Sequence, residues 1–264
     1  MDGIGVWEIK LPERGDAEAL EQLEESGLGS AAAIPVVPSI LPLRLMEGPD
    51  EPQQRIDAFC ASLHRLAPFK PSGVVCLTGP GDARDAVVEG LRTIGEEAAR
   101  AGVRVGLEPT NRIGGEDWTM ISSVSEAVEL LEDADRPALG IQFDSWHVWN
   151  TSEVVEDIER SADLFVGVHI ADWSGTTRSW CDRVLPGDGV ADLPRVLGAL
   201  DRAGWDGYYD LEIFSDNGAF GNAWPDSLWD VPGEELARRG KEAFERVWET
   251  RIRTSLDQVS PGAV

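Results

Sequence analysis

The sequence predicts an α/β barrel of the (β/α)8 type, a TIM barrel, with seven of its eight strands visible. Three observations predict it. Short apolar runs recur along the whole chain. Most are continuous rather than alternating, as parallel strands buried on both faces are. Between them lie amphipathic segments with helix caps, and neither a composition shift nor a long linker breaks the series. The chain therefore reads as one domain over residues 1–253, followed by a flexible tail at 254–264.

The strand candidates, in order, are Ile4–Ile9, Ala31–Val37, Gly73–Leu77, Val103–Leu107, Leu139–Phe143, Leu164–Ile170 and Tyr208–Ile213. Helix signals fall between them. Val87, Val88, Leu91, Ile94 and Ala98 make one apolar stripe, which Gly102 ends as a left-handed cap. Ser123-Val124-Ser125-Glu126 is a capping box that opens a helix through Leu131. Asp192 starts another helix with Leu193, Val196, Leu197 and Leu200, stopped by Gly204, and a last one runs from about Glu234 to Arg253.

Composition narrows the function. Asp and Glu number 48 against 23 Lys and Arg, a net charge of −25. Such a field repels phosphate backbones, so a nucleic-acid partner is disfavoured. No run reaches the roughly 18 apolar residues of a membrane span, and residues 1–5 have no secretory character, so a cytoplasmic chain is expected. The three cysteines, Cys60, Cys76 and Cys181, have no CxxC spacing, which argues against a disulfide framework or a thiolate zinc site.

Four of the apolar runs end in an ionisable residue: Glu108 in Val105-Gly106-Leu107-Glu108-Pro109, Asp144 in Ile141-Gln142-Phe143-Asp144, His169 in Val166-Gly167-Val168-His169, and Glu212 in Asp210-Leu211-Glu212-Ile213. In a parallel barrel these ends converge on the face that carries active sites. Singly, Glu108 could satisfy loop amides, and His169 could be a hydrogen-bonded core histidine. Together they offer three carboxylates and one imidazole. A carboxylate beside a buried strand is costly unless paired, protonated or bound to a cation. Three oxygens and one nitrogen suit Mn²⁺, Mg²⁺ or Co²⁺, with positions left open for substrate. With all three carboxylates ionised the loaded site carries about −1, which suits a neutral polyol better than a phosphate. Asp144-Ser145-Trp146-His147 adds a second histidine one turn on, and Arg183 precedes the tight loop Pro186-Gly187-Asp188-Gly189. Seven of the ten tryptophans (Trp118, Trp146, Trp149, Trp173, Trp180, Trp224 and Trp229) fall in loops after the last four strands, where they either stack on sugar C–H faces or pack the loops.

As an ordered set, these motifs resemble the xylose-isomerase-like TIM-barrel superfamily of sugar isomerases and epimerases. The residues that carry the resemblance are Leu107–Arg112, Phe143–His147, Val168–Asp172, Arg183–Gly189 and Gly204–Gly207 leading to Leu211-Glu212-Ile213. The resemblance implies that Glu108, Asp144, His169 and Glu212 hold one divalent cation, Mn²⁺ before Mg²⁺ or Co²⁺, with Glu108 and Glu212 doubling as catalytic acid and base. It implies substrate contacts from His147, Arg183, Asn111 and Trp173, with Asp172 behind the ligands. Two departures stand out. Met1 stands where a first strand and helix should just have ended, so the first βα unit is read as lacking, with a start codon placed too far downstream or an open seven-stranded barrel as the explanations. The epimerases also carry a further glutamate after their Asn-Arg pair, where this chain has Ile113-Gly114-Gly115-Glu116.

The expected function is a metal-dependent isomerase or epimerase that moves a proton through a metal-stabilised enediolate on a small ketose, keto-polyol or hydroxy-keto acid. Its partner is a small-molecule carbohydrate, and the resembling families make a homodimer one form to expect. An inosose-type dehydratase is the first alternative, because the same metal and base can expel water. A non-catalytic ligand-binding barrel is another. A three-zinc DNA-repair endonuclease is disfavoured by the total of three histidines and the net charge of −25.

Overall fold

Seven strands form one sheet whose order follows the chain, as the apolar runs require. They are β1 (Gly3–Trp7), β2 (Gly29–Ile34), β3 (Gly73–Cys76), β4 (Val105–Leu107), β5 (Leu139–Asp144), β6 (Phe165–Ile170) and, after the short strands β7 (Asp172–Trp173) and β8 (Arg183–Val184), β9 (Tyr209–Leu211). The first five pair in parallel, with Gly3 opposite Gly29, Ala32 opposite Gly73, Val74 opposite Val105 and Val105 opposite Leu139. β7 and β8 make a separate antiparallel ribbon. This is the strand succession of a (β/α)8 TIM barrel, with seven of its eight strands among the described residues. The computed structural model describes residues 1–12, 15–44, 46–112 and 118–251, so the tail expected at 254–264 lies outside the described residues.

By backbone proximity the chain divides into two units. The first comprises Met1–Asp144, Leu164–Val168 and Gly207–Asp210. Strands β2 to β5 are buried on both faces, with Ala31 to Ala33, Val74, Val75, Val105, Leu107, Ile141 and Phe143 almost unexposed, while β1 leaves Ile4 49% exposed. Helix α1 (Asp16–Ser26) buries no residue. Helices α2 (Pro52–Leu66), α3 (Arg84–Ala101) and α4 (Val124–Ala134) each turn an apolar stripe inward, through Phe59 and Leu63, through Val87, Leu91 and Ile94, and through Ala127 and Leu130. Each such Leu or Ile stabilises the fold by roughly 1.5–3 kcal/mol. The caps form as the sequence requires. The Ser123 hydroxyl accepts from the Glu126 amide at 3.2 Å, and the Glu126 carboxylate accepts from the Ser123 amide at 3.1 Å.

The second unit comprises Ser145–Asp163, His169–Asp206 and Leu211–Val264. It carries the short turn α5 (Ser145–Val148) and helices α6 (Val154–Ser161), α7 (Leu193–Arg202) and α8 (Gly233–Glu249). Asp192 caps α7 by accepting from the Arg195 amide at 3.3 Å, and Gly204 follows the helix at φ 81°. Arg202 pairs with Glu159, which ties α7 to α6.

The strands start and stop within a few residues of expectation, and the differences have local causes. β2 ends at Ile34 rather than Val37, because Pro35 has no N–H to give the ladder. β4 begins at Val105 rather than Val103, because the Val103 amide still bonds Ala98 across the left-handed Gly102 cap, φ 71°. β1 and β9 are each shorter than their apolar runs, and α8 ends at Glu249 rather than at 253.

The first unit is packed tightly enough to forbid a methyl group at several glycines. A Cβ on Gly29 would lie 1.8 Å from the Tyr208 hydroxyl, so this ring lies directly against β2. A Cβ on Gly140 would lie 2.3 Å from the backbone oxygen of Leu164 and 2.6 Å from Val166. Backbone cannot step aside as a side chain can. Gly140→Ala is therefore expected to lower the unfolding free energy by about 1–3 kcal/mol, as overpacking does. Urea denaturation measures it, and an unchanged midpoint would mean that the two strands separate freely here.

Candidate metal and substrate site

Each strand-end residue is placed by the backbone before it. Glu108 follows β4 directly, with its amide donating to Cys76 O at 2.9 Å, so the chain is still in ladder register when the carboxylate begins. Asp144 is the last residue of β5 and His169 the fifth of β6. Glu108, Asp144 and His169 have exposures of 7%, 0% and 1%. They stand at the ends of three successive strands of the sheet, and all three are of residue types that ligate divalent cations. Two carboxylate oxygens and an imidazole nitrogen so placed, and so dry, are the donor set of a divalent cation. The chemistry of the donors therefore fits the metal implied by the sequence. Glu212 is not in this trio.

In the second unit the remaining candidates meet around Arg183. Its Nη1 donates to Glu212 Oε2 at 2.9 Å and to the Glu212 backbone oxygen at 3.3 Å. The same Oε2 lies 3.5 Å from His169 Nδ1. Arg183 Nη2 lies 3.4 Å from His147 Nε2. A guanidinium only donates, so His147 Nε2 accepts and the proton of the neutral ring resides on Nδ1. The Arg183 guanidinium, buried to 3% exposure, also lies 4.7 Å from the Trp146 ring centre and 5.0 Å from that of Phe214. Two aromatic faces and one carboxylate thus hold a cation that water cannot reach.

The supports of this cluster come from loops. Ser145 Oγ donates to Ala171 O at 3.0 Å and accepts from the Ala171 amide at 3.2 Å, which anchors the turn carrying Trp146 and His147. Trp173 stands 4.7 Å from Trp146 and 6.0 Å from Trp149, ring centre to ring centre. The buried Asp172 carboxylate accepts from the amides of Trp173, Gly187, Gly189 and Ala191 at 2.8–3.1 Å. It is the bolt of the Pro186–Gly189 loop that follows Arg183. A second bolt is Asp216, which accepts from the amides of Gly218, Phe220 and Asn222 at 2.7–2.9 Å. The loop so held carries Phe220, which is 4.8 Å from Trp180 and 5.6 Å from Trp229. Asn111, in the first unit, is half-buried after Glu108-Pro109-Thr110, and the variant stretch 113–116 lies outside the described residues.

Sequence reasoning passed over Phe214, Asp216 and Gln142. Nothing local marks Phe214 or Asp216. Gln142 was legible, as a polar residue two positions before Asp144 in a strand otherwise apolar.

The pattern described as the xylose isomerase-like TIM barrel matches residues 17–247. The chain belongs to that family. Among curated relatives it is 28% identical to a 3-dehydroshikimate dehydratase of Pseudomonas putida, over 54% of this chain and 23% of that one. It is 28% identical to a ketose 3-epimerase of Arthrobacter globiformis, over 61% of this chain and 53% of that one. It is 26% identical to an inosose isomerase of Bacillus licheniformis, over 63% and 56%. The matched part thus spans about a quarter of the dehydratase and about half of the other two. A solved structure from Sinorhizobium meliloti 1021 has the same fold, with TM-score 0.80 and 23% identity over 94% of this chain and 88% of that one. So has the IOLI protein, solved with a zinc atom, with TM-score 0.73 and 19% identity over 96% and 90%. The family members therefore include isomerases, an epimerase and a dehydratase. No helix among the described residues is long and apolar enough to cross a membrane.

Burial works against ionisation of Asp216, but the three amides outweigh it and hold the carboxyl below the usual carboxylate range. A group whose folded pKa is depressed stabilises above its unfolded pKa, about 3.9, and ceases to do so as pH falls through the folded value. Asp216→Asn is thus expected to melt several degrees below wild type at pH 7. The gap should begin to narrow below about pH 4 and go on narrowing as pH falls towards the folded value. A gap that is the same at pH 2 as at pH 7 would show that shape, not charge, holds the loop.

Proposed function

We propose that the chain is a divalent-metal-dependent isomerase or epimerase acting on a small ketose, keto-polyol or hydroxy-keto acid. The observation that carries this reading is the burial of Glu108, Asp144 and His169, three candidate ligands at successive strand ends, with exposures of 7%, 0% and 1%. The epimerase and isomerase relatives support it. Mn²⁺ is the first choice of cation, with Mg²⁺ or Co²⁺ next. When bound, the cation supplies Lewis-acid stabilisation of negative charge that develops on substrate oxygen.

The chain's own residues do the rest. Glu212 takes the proton from substrate carbon, with Glu108 as its acid partner. The Arg183 guanidinium 2.9 Å from Glu212 favours the ionised carboxylate, the form a base must have. Return of the proton to the opposite face gives epimerisation, and return to the neighbouring carbon gives isomerisation. His147, with its proton on Nδ1, and Arg183 bind substrate oxygens. Asn111 extends that contact, and Trp173 supplies an aromatic wall. We further propose action in the cytoplasm on a carbohydrate rather than a nucleic acid, which the net charge of −25 would repel, and a homodimeric form. The dehydratase relative favours one second reading, loss of water from an inosose-like substrate by the same base.

Two measurements test the proposal. After incubation with Mn²⁺, Mg²⁺, Co²⁺ and Zn²⁺ and dialysis, elemental analysis should find about one divalent cation per chain, and His169→Ala should lose it. A folded wild type with no metal would overturn the reading. In a ketose screen, substrate should gain solvent deuterium without losing water, and Glu212→Gln should slow this by about 10²–10⁴-fold while melting normally. Water loss would establish the dehydratase reading, and an unimpaired Glu212→Gln would remove Glu212 from the proton path.

A further inference from the structure

Gln142 is the polar group that the site as described leaves unused. Its side chain has no solvent exposure, and neither Nε2 nor Oε1 has a hydrogen-bond partner among the described residues. An unsatisfied carboxamide in a barrel interior costs on the order of 1–3 kcal/mol that a leucine or methionine of similar volume would not. The chain has also shaped itself around this group. A Cβ on Gly167 would lie 2.1 Å from Gln142 Oε1, and a Cβ on Gly106 would lie 2.9 Å from Gln142 Cβ. Two glycines therefore leave the space that the carboxamide fills.

Position gives the reason. Side chains alternate along a strand, so Gln142 projects to the same face as Asp144, two residues on. Leu107 pairs with Ile141 in parallel register, and one step beyond that pair stand Glu108 and Gln142. The carboxamide is flanked by two members of the candidate ligand trio, one beside it and one above it on its own strand. Ligating carboxylates are themselves hydrogen-bonded in metal sites, and loss of such a partner costs about 10–100-fold in metal affinity.

We propose that Gln142 is a positioning residue of the metal site. Once a divalent cation draws Glu108 and Asp144 into place, the Nε2 hydrogens of Gln142 bond their carboxylate oxygens. The inference rests on the metal-dependent reading above. It explains why an amide occupies a place where an apolar side chain would give a more stable barrel: the Nε2 donors lack acceptors without the cation and gain them with it.

The test separates the two properties. Gln142→Met and Gln142→Leu are purified free of metal, melted, and titrated with Mn²⁺ by calorimetry beside wild type. The expected result is a melting temperature equal to or above that of wild type without metal, together with at least tenfold weaker Mn²⁺ binding. Higher stability with unchanged Mn²⁺ affinity would overturn the proposal and leave Gln142 a filler. Lower stability or misfolding of both metal-free variants would also overturn it, because the carboxamide would then be satisfied by the protein itself. Wild type that binds no Mn²⁺, Mg²⁺, Co²⁺ or Zn²⁺ would remove the metal-dependent reading, and this inference with it.

Discussion

Charge held out of water is the constraint on which this site depends. Glu108, Asp144 and His169 have exposures of 7%, 0% and 1%, and two of them are acids. Carboxylates so placed repel one another and forfeit hydration, and only a counter-charge or a proton makes the arrangement stable. The strands make it geometrically rigid: the fully buried stretch Ile141-Gln142-Phe143 leaves Asp144 no freedom to swing into solvent. The same logic operates around Glu212, where the chain supplies its own counter-charge. Arg183 is pinned between Trp146 and Phe214 and gives Nη1 to that carboxylate. The trio brings two acids out of water, while Glu212 has the Arg183 guanidinium at 2.9 Å.

Glu212 has a guanidinium at 2.9 Å, which favours its ionised form, and the aromatic rings beside Arg183 shield the pair. Two buried acids and an imidazole are donors that suit a divalent cation. The loops make the first arrangement durable. Asp172 and Asp216 each turn a buried carboxylate onto several backbone amides, and so fix loops that have little regular structure of their own. A loop held by a carboxylate needs no apolar core, which leaves Trp173 and Phe220 available to present aromatic faces.

The order of the strands was legible in the sequence, because continuous apolar runs between capped amphipathic segments have few other solutions. Strand ends were less so where backbone chemistry intervened, as at Pro35 and at the Gly102 cap. The buried ionisable residues Glu108, Asp144 and His169 were legible as candidates because a charge that directly follows a buried run stands at a strand end. The β7–β8 ribbon and the turn Ser145–Val148 were not, since two-residue strands and a single helical turn have no period to detect. Arg183's partners were not legible either: the residues from 146 to 214 that surround it are joined by loops, and no local spacing encodes such a contact.

The strand period also explains a feature that the strand ends alone do not. Each residue of the trio follows, by two positions, a residue on the same face of its strand: Gly106 before Glu108, Gln142 before Asp144, Gly167 before His169. Side chains of ordinary size at all three places would crowd the space beneath the ligands. Two are reduced to hydrogen, and the third fills the room they leave, its Oε1 only 2.1 Å from where a Gly167 Cβ would be. Packing alone would be met by an aliphatic side chain there. A carboxamide with both ends unbonded satisfies packing while keeping donors next to two carboxylates, and that combination has a physical rationale only if those carboxylates are to be held in one orientation. The glycines at 106 and 167 and the glutamine at 142 are therefore one feature, and it belongs to the ligands above it rather than to the core below.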